Sequence, residues 1–266
     1  MKLIITSHNL GLWAASYICR RWQLAQKKPF VLGLPTGGTV VDMYAALCGL
    51  VKNGKMSFQD IVTFNMDEYV GLSSTHEQSY HYYMKHNLFD HVDIRPENAH
   101  ILDGMTKDPQ QECAHYEQAI TQAGGIDLFL GGVGRNGHLA FNEPGSAFDS
   151  RTRMITLEEN TRQANSRFFN NDVSQVPAHA LTVGIGTVLD AKELLFLASG
   201  ETKAQAVARL MQGEITLQWP ITALKTHANA TLLIDEQAAA ALGTDILNKW
   251  HALQQAQPEQ DLVLSL

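Results

Sequence analysis

Residues 131–145 read GGVGRNGHLAFNEPG and place Asn136, His138 and Glu143 within eight residues on a glycine-rich turn. A histidine can move protons at neutral pH, and a nearby carboxylate can orient or charge its ring. A second acidic centre lies in FNMDEYVGL, residues 64–72, where Asp67 and Glu68 end an apolar stretch. A carboxylate backed by Phe64 and Met66 would carry a raised pKa and could act as a general base. The third centre is LPTGGT, residues 34–39, between an apolar run and an amphipathic one. Free N–H groups at a helix start favour an anion, and Thr36 and Thr39 add hydroxyls around Gly37 and Gly38. No Gly-Lys-Ser/Thr follows, so a sugar phosphate fits this loop better than a nucleoside triphosphate. Taken singly, each centre also has a bland reading: a tight turn capped by Thr39, a solvated acidic pair, and a surface loop with an incidental histidine.

Two patterns imitate other chemistry. Gly132-x-Gly134-x-x-Gly137 follows the apolar run IDLFL, with the spacing of a dinucleotide-binding turn. In that fold the third glycine opens a long helix. Here Asn142-Glu143-Pro144-Gly145 stops any helix within about two turns, because proline lacks an N–H and restricts the residue before it. The loop also lies mid-chain, whereas the fingerprint marks a first strand–helix unit, so no NAD is expected. His76, His81, His86 and His91 recur every five residues and suggest a metal cluster. On a helix that spacing turns successive side chains by about 140°, so the four share no face and no metal is expected.

The elements that must position these residues follow from apolar periodicity. LIIT near the start, FVLGL (30–34), IVTFNM (61–66), IDLFL (126–130), LTVGIG (181–186), LLFLAS (194–199) and TLLID (231–235) read as strands. Between the first two, Leu12, Ala15, Cys19 and Trp22 form a helical stripe behind a Ser7 cap. Val40, Val41, Tyr44, Leu47, Cys48 and Val51 form another that stops near Gly54, and TKAQAVARLM and DILNKWHALQQ are helical further on. Apolar strands alternating with helices imply an α/β fold whose mostly parallel sheet is covered on both faces. Ligands then bind beyond the carboxyl ends of the strands, where all three centres lie. No repeat or linker divides residues 1–266, so one domain is expected.

Composition narrows the function. Hydrophobic residues at 45% and charged residues at 18% are those of an ordinary folded protein. A net charge of −7 without a basic block excludes a nucleic-acid surface. An anionic substrate would then need a few local cations against that field. Cys19, Cys48 and Cys113 form no CxxC pair, and no apolar run is long enough for a signal peptide or a membrane span. A reduced, cytoplasmic location is expected.

LGLPTGGT, TFNMDEYVGL, GGVGRNGHLAFNEPG and ANSRFF, in that order, resemble the glucosamine-6-phosphate deaminases, also called isomerases, from about residue 30 to 210. The resemblance implies a Rossmann-like three-layer sandwich. It also implies conversion of glucosamine 6-phosphate and water into fructose 6-phosphate and ammonia without an organic cofactor. That is a hydrolase-class reaction of amino-sugar catabolism, coupling aldose–ketose isomerisation to deamination. By the same resemblance, Asp67 moves a proton from C2 to C1 through an enol-type intermediate, and His138 opens the ring with Glu143 as partner. The phosphate rests on Thr36, Gly37, Gly38 and Thr39, with Arg167 of ANSRFF and Lys203 of GETKAQA as cations; Glu68 is placed among the substrate ligands.

Many members carry aspartate two residues before the histidine. Asn136 can orient an imidazole but supplies no charge, so a carboxylate–histidine–carboxylate relay is not expected. The same fold serves 6-phosphogluconolactonases, whose Asp-Gly-His runs into Ala-Ser-Leu-Phe-Pro where this chain has LAFNEPG and keeps MDEY. A non-catalytic sugar-phosphate-binding regulator is the third reading; it would need only the phosphate loop and the cations. The galactosamine epimer stays open as substrate. Hexamers and monomers both occur in the family, and some hexamers are activated by N-acetylglucosamine 6-phosphate between subunits. Arg153 stands where one basic effector ligand would be, but Ile155 replaces a lysine and Ala147 a serine. A weak or absent response is expected.

Overall fold

Strand-length runs with no polar side must be covered twice, and the fold is built on that requirement. The computed structural model describes residues 1–256 and 262–265. The chain begins β1 (Lys2–Thr6), α1 (Leu10–Leu24), β2 (Phe30–Leu34), α2 (Val41–Lys52), β3 (Ile61–Asn65) and β4 (Asp67–Tyr69). It continues through α3 (Tyr80–Asn87), β5 (Ala99–His100), α4 (Pro109–Gln122), β6 (Leu128–Gly132), β7 (Arg153–Thr156), α5 (Glu159–Asn165) and β8 (His179–Thr182). Then come α6 (Ile185–Leu189), β9 (Leu194–Ala198), α7 (Ala204–Gln212), β10 (Ala230–Asp235), α8 (Thr244–Ala256) and β11 (Leu262–Ser265).

Among these residues eight strands form one sheet, in the order β11-β1-β10-β9-β6-β2-β3-β5. All its pairings are parallel except that of β11 with β1. Along β9, Leu194 and Phe196 enter one core while Leu195 and Leu197 enter the other, the period-two alternation of a doubly covered strand. Ile18 of α1, Met43 and Leu47 of α2 and Met84 of α3 close one face. Tyr116 of α4, Val188 of α6, Val207 of α7 and Trp250 of α8 close the other. This is the three-layer α/β sandwich with a mostly parallel sheet.

A second sheet, antiparallel and ordered β4-β8-β7, was not legible in the sequence. Its strands are short, and β7 alternates between half-buried and exposed residues around no long apolar run. It covers a small core of Tyr69, Phe141, Leu157, Phe169, Val176 and Ala180. LTVGIG is accordingly divided: β8 ends at Thr182 in this second sheet, and Ile185 already begins α6. The first helix also differs from expectation. Asn9, not Ser7, caps α1 by accepting from the Leu12 N–H at 3.0 Å. The buried stripe runs through Leu10, Ala14, Ala15, Ile18 and Cys19 and leaves Leu12 59% exposed.

Two features of this topology create a site. β2 lies between β3 and β6, so the chain runs outward on one side of β2 and returns on the other. Loops leaving β2 and β6 therefore diverge and open a crevice. β3 passes into β4 through Met66, whose N–H bonds Leu34 and whose carbonyl accepts from Val183. Asp67 thus stands where the chain leaves one sheet for the other. No helix among the described residues is long and apolar enough to cross a membrane.

Candidate active site

After β6 the glycine pattern serves one side chain. A Cβ on Gly134 would lie 2.3 Å from the His138 ring, so only glycine lets the imidazole fold over this residue. Gly137 has φ +78°, and a Cβ there would meet Trp219 at 2.8 Å. The spacing that imitates a dinucleotide turn seats a histidine. Asn142 then pins the turn, donating to the carbonyls of Leu139 at 2.9 Å and Val183 at 2.8 Å. The Phe141 N–H bonds the Thr182 hydroxyl at 3.2 Å.

Glu143 follows and is 8% exposed. The Thr161 hydroxyl donates to its Oε1 at 2.6 Å, and the Asn136 amide to its Oε2 at 2.6 Å. His138 Nδ1 lies 3.7 Å from Oε2, an ion-pair contact too long for a hydrogen bond. Burial pushes the Glu143 carboxyl up, but the imidazole, Thr161 and Asn136 outweigh it and hold it at about 2. Glu143 is a fixed negative charge beside an imidazole that is one-third open to solvent. Asn136 differs from expectation: its carbonyl accepts from the His138 N–H at 3.3 Å while its amide binds Glu143. It orients the carboxylate rather than the ring, because the ring is folded over Gly134. An aspartate here would set two like charges against each other.

Asp67 is 5% exposed, and its Cα pairs with that of Thr182. Thr182 and Val183 therefore anchor Asp67 on one side and the histidine turn on the other. Oδ1 of Asp67 is buried with no hydrogen-bond partner among the described residues. Burial, reinforced by Glu68, lifts this carboxyl well above the ordinary carboxylate range. Its charge reaches the phenols of Tyr44, Tyr69, Tyr80 and Tyr116. A buried acid so placed is costly to the fold and is a candidate for a functional group.

Glu68, expected at the substrate, lies elsewhere. Consecutive strand residues face opposite ways, and its fully buried carboxylate turns toward α3. Oε1 accepts from the N–H groups of Tyr69 at 2.7 Å and Tyr80 at 3.0 Å. Oε2 accepts from the His81 N–H at 3.0 Å and contacts its ring Nδ1 at 2.9 Å. Glu68 is the anion of a helix start and has no oxygen left for a ligand. The histidine series disperses in the same way: His86 meets the Tyr82 carbonyl, His91 the His86 carbonyl, and His76 stacks on Phe169.

Beyond the ends of β2, β6 and β9, a cleft of about 600 Å³ is lined by Gly38, Thr39, Arg135, Arg167, Thr202 and Lys203, with residues after β1 and the carboxylates Asp42 and Asp235. Burial pushes Lys203 below its ordinary value, and Arg135 and Arg167 add to that. These three cations share the cleft with Asp42 and Asp235, and an entering anion would relieve their repulsion. Gly38–Val40 form a 3-10 turn before α2, and no side chain caps it, so backbone donors face this space with the helix dipole behind them. Thr36 and Gly37 do not line the cleft. The Gly37 carbonyl accepts from the Tyr83 hydroxyl at 2.9 Å. Asp67, Asn136, His138 and Glu143 do not line the cleft, whereas Arg135, next to Asn136 in the chain, does. Arg135 escaped sequence reasoning; its only signal was a cation directly after an apolar strand in an acidic chain.

Residues 7–233 match the family described as glucosamine-6-phosphate isomerases/6-phosphogluconolactonase. The chain belongs to that family. Glucosamine-6-phosphate deaminase of Phocaeicola vulgatus is 52% identical over 247 residues, which cover 91% of this chain and 94% of that protein. The enzyme of that name from Proteus mirabilis is 49% identical over 265 residues, covering 98% and 99%. Among solved structures, a monomeric glucosamine-6-phosphate deaminase superposes with a TM-score of 0.87 at 43% identity, covering 91% of this chain and 100% of that one. The 6-phosphogluconolactonase of Trypanosoma cruzi superposes with a TM-score of 0.71 at 17% identity, covering 89% and 95%. That second likeness is one of fold alone. Within the family, the sequence likeness lies with the deaminases.

Proposed function

We propose that this chain is a glucosamine-6-phosphate deaminase, converting glucosamine 6-phosphate and water into fructose 6-phosphate and ammonia. The observation that carries the reading is Asp67, a buried carboxyl with an unpartnered oxygen, anchored by Thr182 beside the His138–Glu143 pair. Lactone hydrolysis breaks no C–H bond, so there a base would serve only to activate water. A regulator that only binds sugar phosphates would need the cations but neither acidic group.

In this reading the phosphate docks against Arg135, Arg167, Lys203 and the backbone of Gly38 and Thr39. Ring opening moves the proton of the C1 hydroxyl to the ring oxygen; His138 carries it while the Glu143 charge steadies the imidazolium. The open chain has an aldehyde at C1 and a nitrogen at C2. Entering as an ammonium, that nitrogen brings Asp67 an opposite charge, so substrate itself ionises the carboxyl. Asp67 takes the C2 hydrogen while the ammonium passes its extra proton to the adjacent aldehyde oxygen, leaving a neutral C1–C2 enol with an amine at C2. Returning the proton to C1 leaves an iminium at C2. Water adds there and ammonia departs, giving the ketone. Water enters only at this last step, so the hydrolase label covers the release of ammonia, whereas the carbon skeleton is isomerised.

The domain is proposed to span residues 1–266, with a small sugar phosphate as its partner and a cytoplasmic location. The decisive experiment measures ammonia release from glucosamine 6-phosphate and galactosamine 6-phosphate side by side, without nucleotide and after chelation of metals. Ammonia from the glucosamine ester is expected. Hydrolysis of 6-phosphogluconolactone with no ammonia from either amino sugar would reverse the choice.

A further inference from the structure

Helix α5 buries none of its residues, yet two of its side chains reach inward. Thr161 donates to Oε1 of Glu143 at 2.6 Å, and Asn165 donates to the Tyr69 hydroxyl at 2.9 Å. The chain then turns through Ser166–Phe168 and brings Arg167 to the cation-lined cleft. Arg162 ties the helix to the carbonyls of Val173 and Val176. With so little apolar packing, polar contacts of this kind hold α5 in place. A helical threonine can bond a carbonyl of its own preceding turn. Thr161 bonds a carboxylate eighteen residues away instead.

We propose that Thr161 is a positioning residue for the reaction: its hydroxyl fixes the Glu143 carboxylate so that Oε2 faces His138, and ties it to the segment bearing Arg167. The proposal rests on the deaminase reading, in which Glu143 serves His138 during ring opening. Rotation about the bond to a carboxylate is soft, with broad two-fold preferences, so one hydrogen bond does not set its plane. Asn136 holds Oε2 and Thr161 holds Oε1; together they set it. His138 Nδ1 has no hydrogen-bond partner of its own among the described residues and faces the Oε2 charge at 3.7 Å. Asn136 brings no charge, which leaves Glu143 to steady the imidazolium. Losing the Thr161 hydroxyl would leave a buried anionic oxygen without a donor.

Two variants test this. Thr161→Val keeps the shape and removes the hydroxyl, and Thr161→Ser keeps the hydroxyl. Steady-state ammonia release gives kcat and KM. Binding of the alditol 2-amino-2-deoxyglucitol 6-phosphate, which has no ring to open, reports on the phosphate site. Thr161→Val should lower kcat by about tenfold or more, the loss expected of one hydrogen bond to a charged group. KM and alditol affinity should stay within about twofold, and Thr161→Ser should restore kcat to within about twofold of wild type. An unchanged kcat in the valine variant, or an equal loss in the serine variant, overturns the proposal. So does alditol binding that falls in step with kcat, because Thr161 would then only hold Arg167 in place. A wild-type protein releasing no ammonia overturns the deaminase reading itself, and this proposal with it.

Discussion

Adjacent carboxylates at positions 67 and 68 have different tasks because strand alternation turns them to opposite sides. Glu68 is saturated by the N–H groups at the start of α3, while Asp67 keeps a buried oxygen with no donor. Replacing Asp67 with asparagine should abolish hydrogen exchange with solvent at C2, a loss of at least about 10²-fold, while alditol binding survives. Residual exchange at the wild-type rate, followed by NMR in deuterium oxide, would remove Asp67 from the role of base. Glu143 offers a test through stability. Its folded value of about 2 lies below the ordinary 4.5, so its ionised form stabilises the fold above that upper value. The contribution is lost as pH falls through the interval toward the lower one. Urea denaturation should therefore show the stability gap between wild type and Glu143→Gln narrowing as the solution is acidified across that window. A gap that widened would mean that burial, not the three neighbours, controls this carboxyl.

At the scale of elements, the loops after β6 and β9 and the turn after α5 each carry one cation to a single cleft. Their mutual repulsion, which with burial lowers Lys203, is what a phosphate relieves. Lys203→Ala and Arg135→Ala should each raise KM for the sugar phosphate by about tenfold or more, since a charge-assisted contact contributes roughly 1.5–3 kcal/mol. The shape of the pH profile should not change, because neither cation touches the reacting carbons. An Arg135→Ala enzyme with wild-type KM would leave two cations, not three, at the phosphate. Thr182 and Val183 work at the same scale: the last residue of β8 and the one after it hold both Asp67 and the histidine turn.

For the molecule as a whole, the open matter is regulation. On β7, Arg153 and Ile155 lie two positions apart and so share a face, and burial lowers the Arg153 guanidinium. Arg153 can offer an effector phosphate one cation there, and Ile155 offers none. Losing one charge-assisted bond should weaken effector binding by tenfold or more. We therefore expect hyperbolic kinetics with glucosamine 6-phosphate, unaltered by N-acetylglucosamine 6-phosphate. Sigmoidal velocity curves that this effector straightens at micromolar concentration would show an intact regulatory site.

What the sequence determined by itself was local. Doubly buried strands such as β2 and β9 declare themselves in unbroken apolar runs, and proline at 144 excludes the dinucleotide helix whatever surrounds it. The family resemblance carried by the ordered motifs is what pointed to Asp67, His138, Glu143, Arg167 and Lys203. Periodicity reports that a face is buried, but not which distant element covers it. That is why the second sheet, the capture of Glu68 by α3, the entry of Arg135 into the cleft and the bond from Thr161 to Glu143 were decided only in three dimensions. Each depends on contacts between segments that no local pattern joins; the bond from the Tyr80 N–H to Glu68 spans twelve residues and that from Thr161 to Glu143 eighteen. Chain topology brought those groups together.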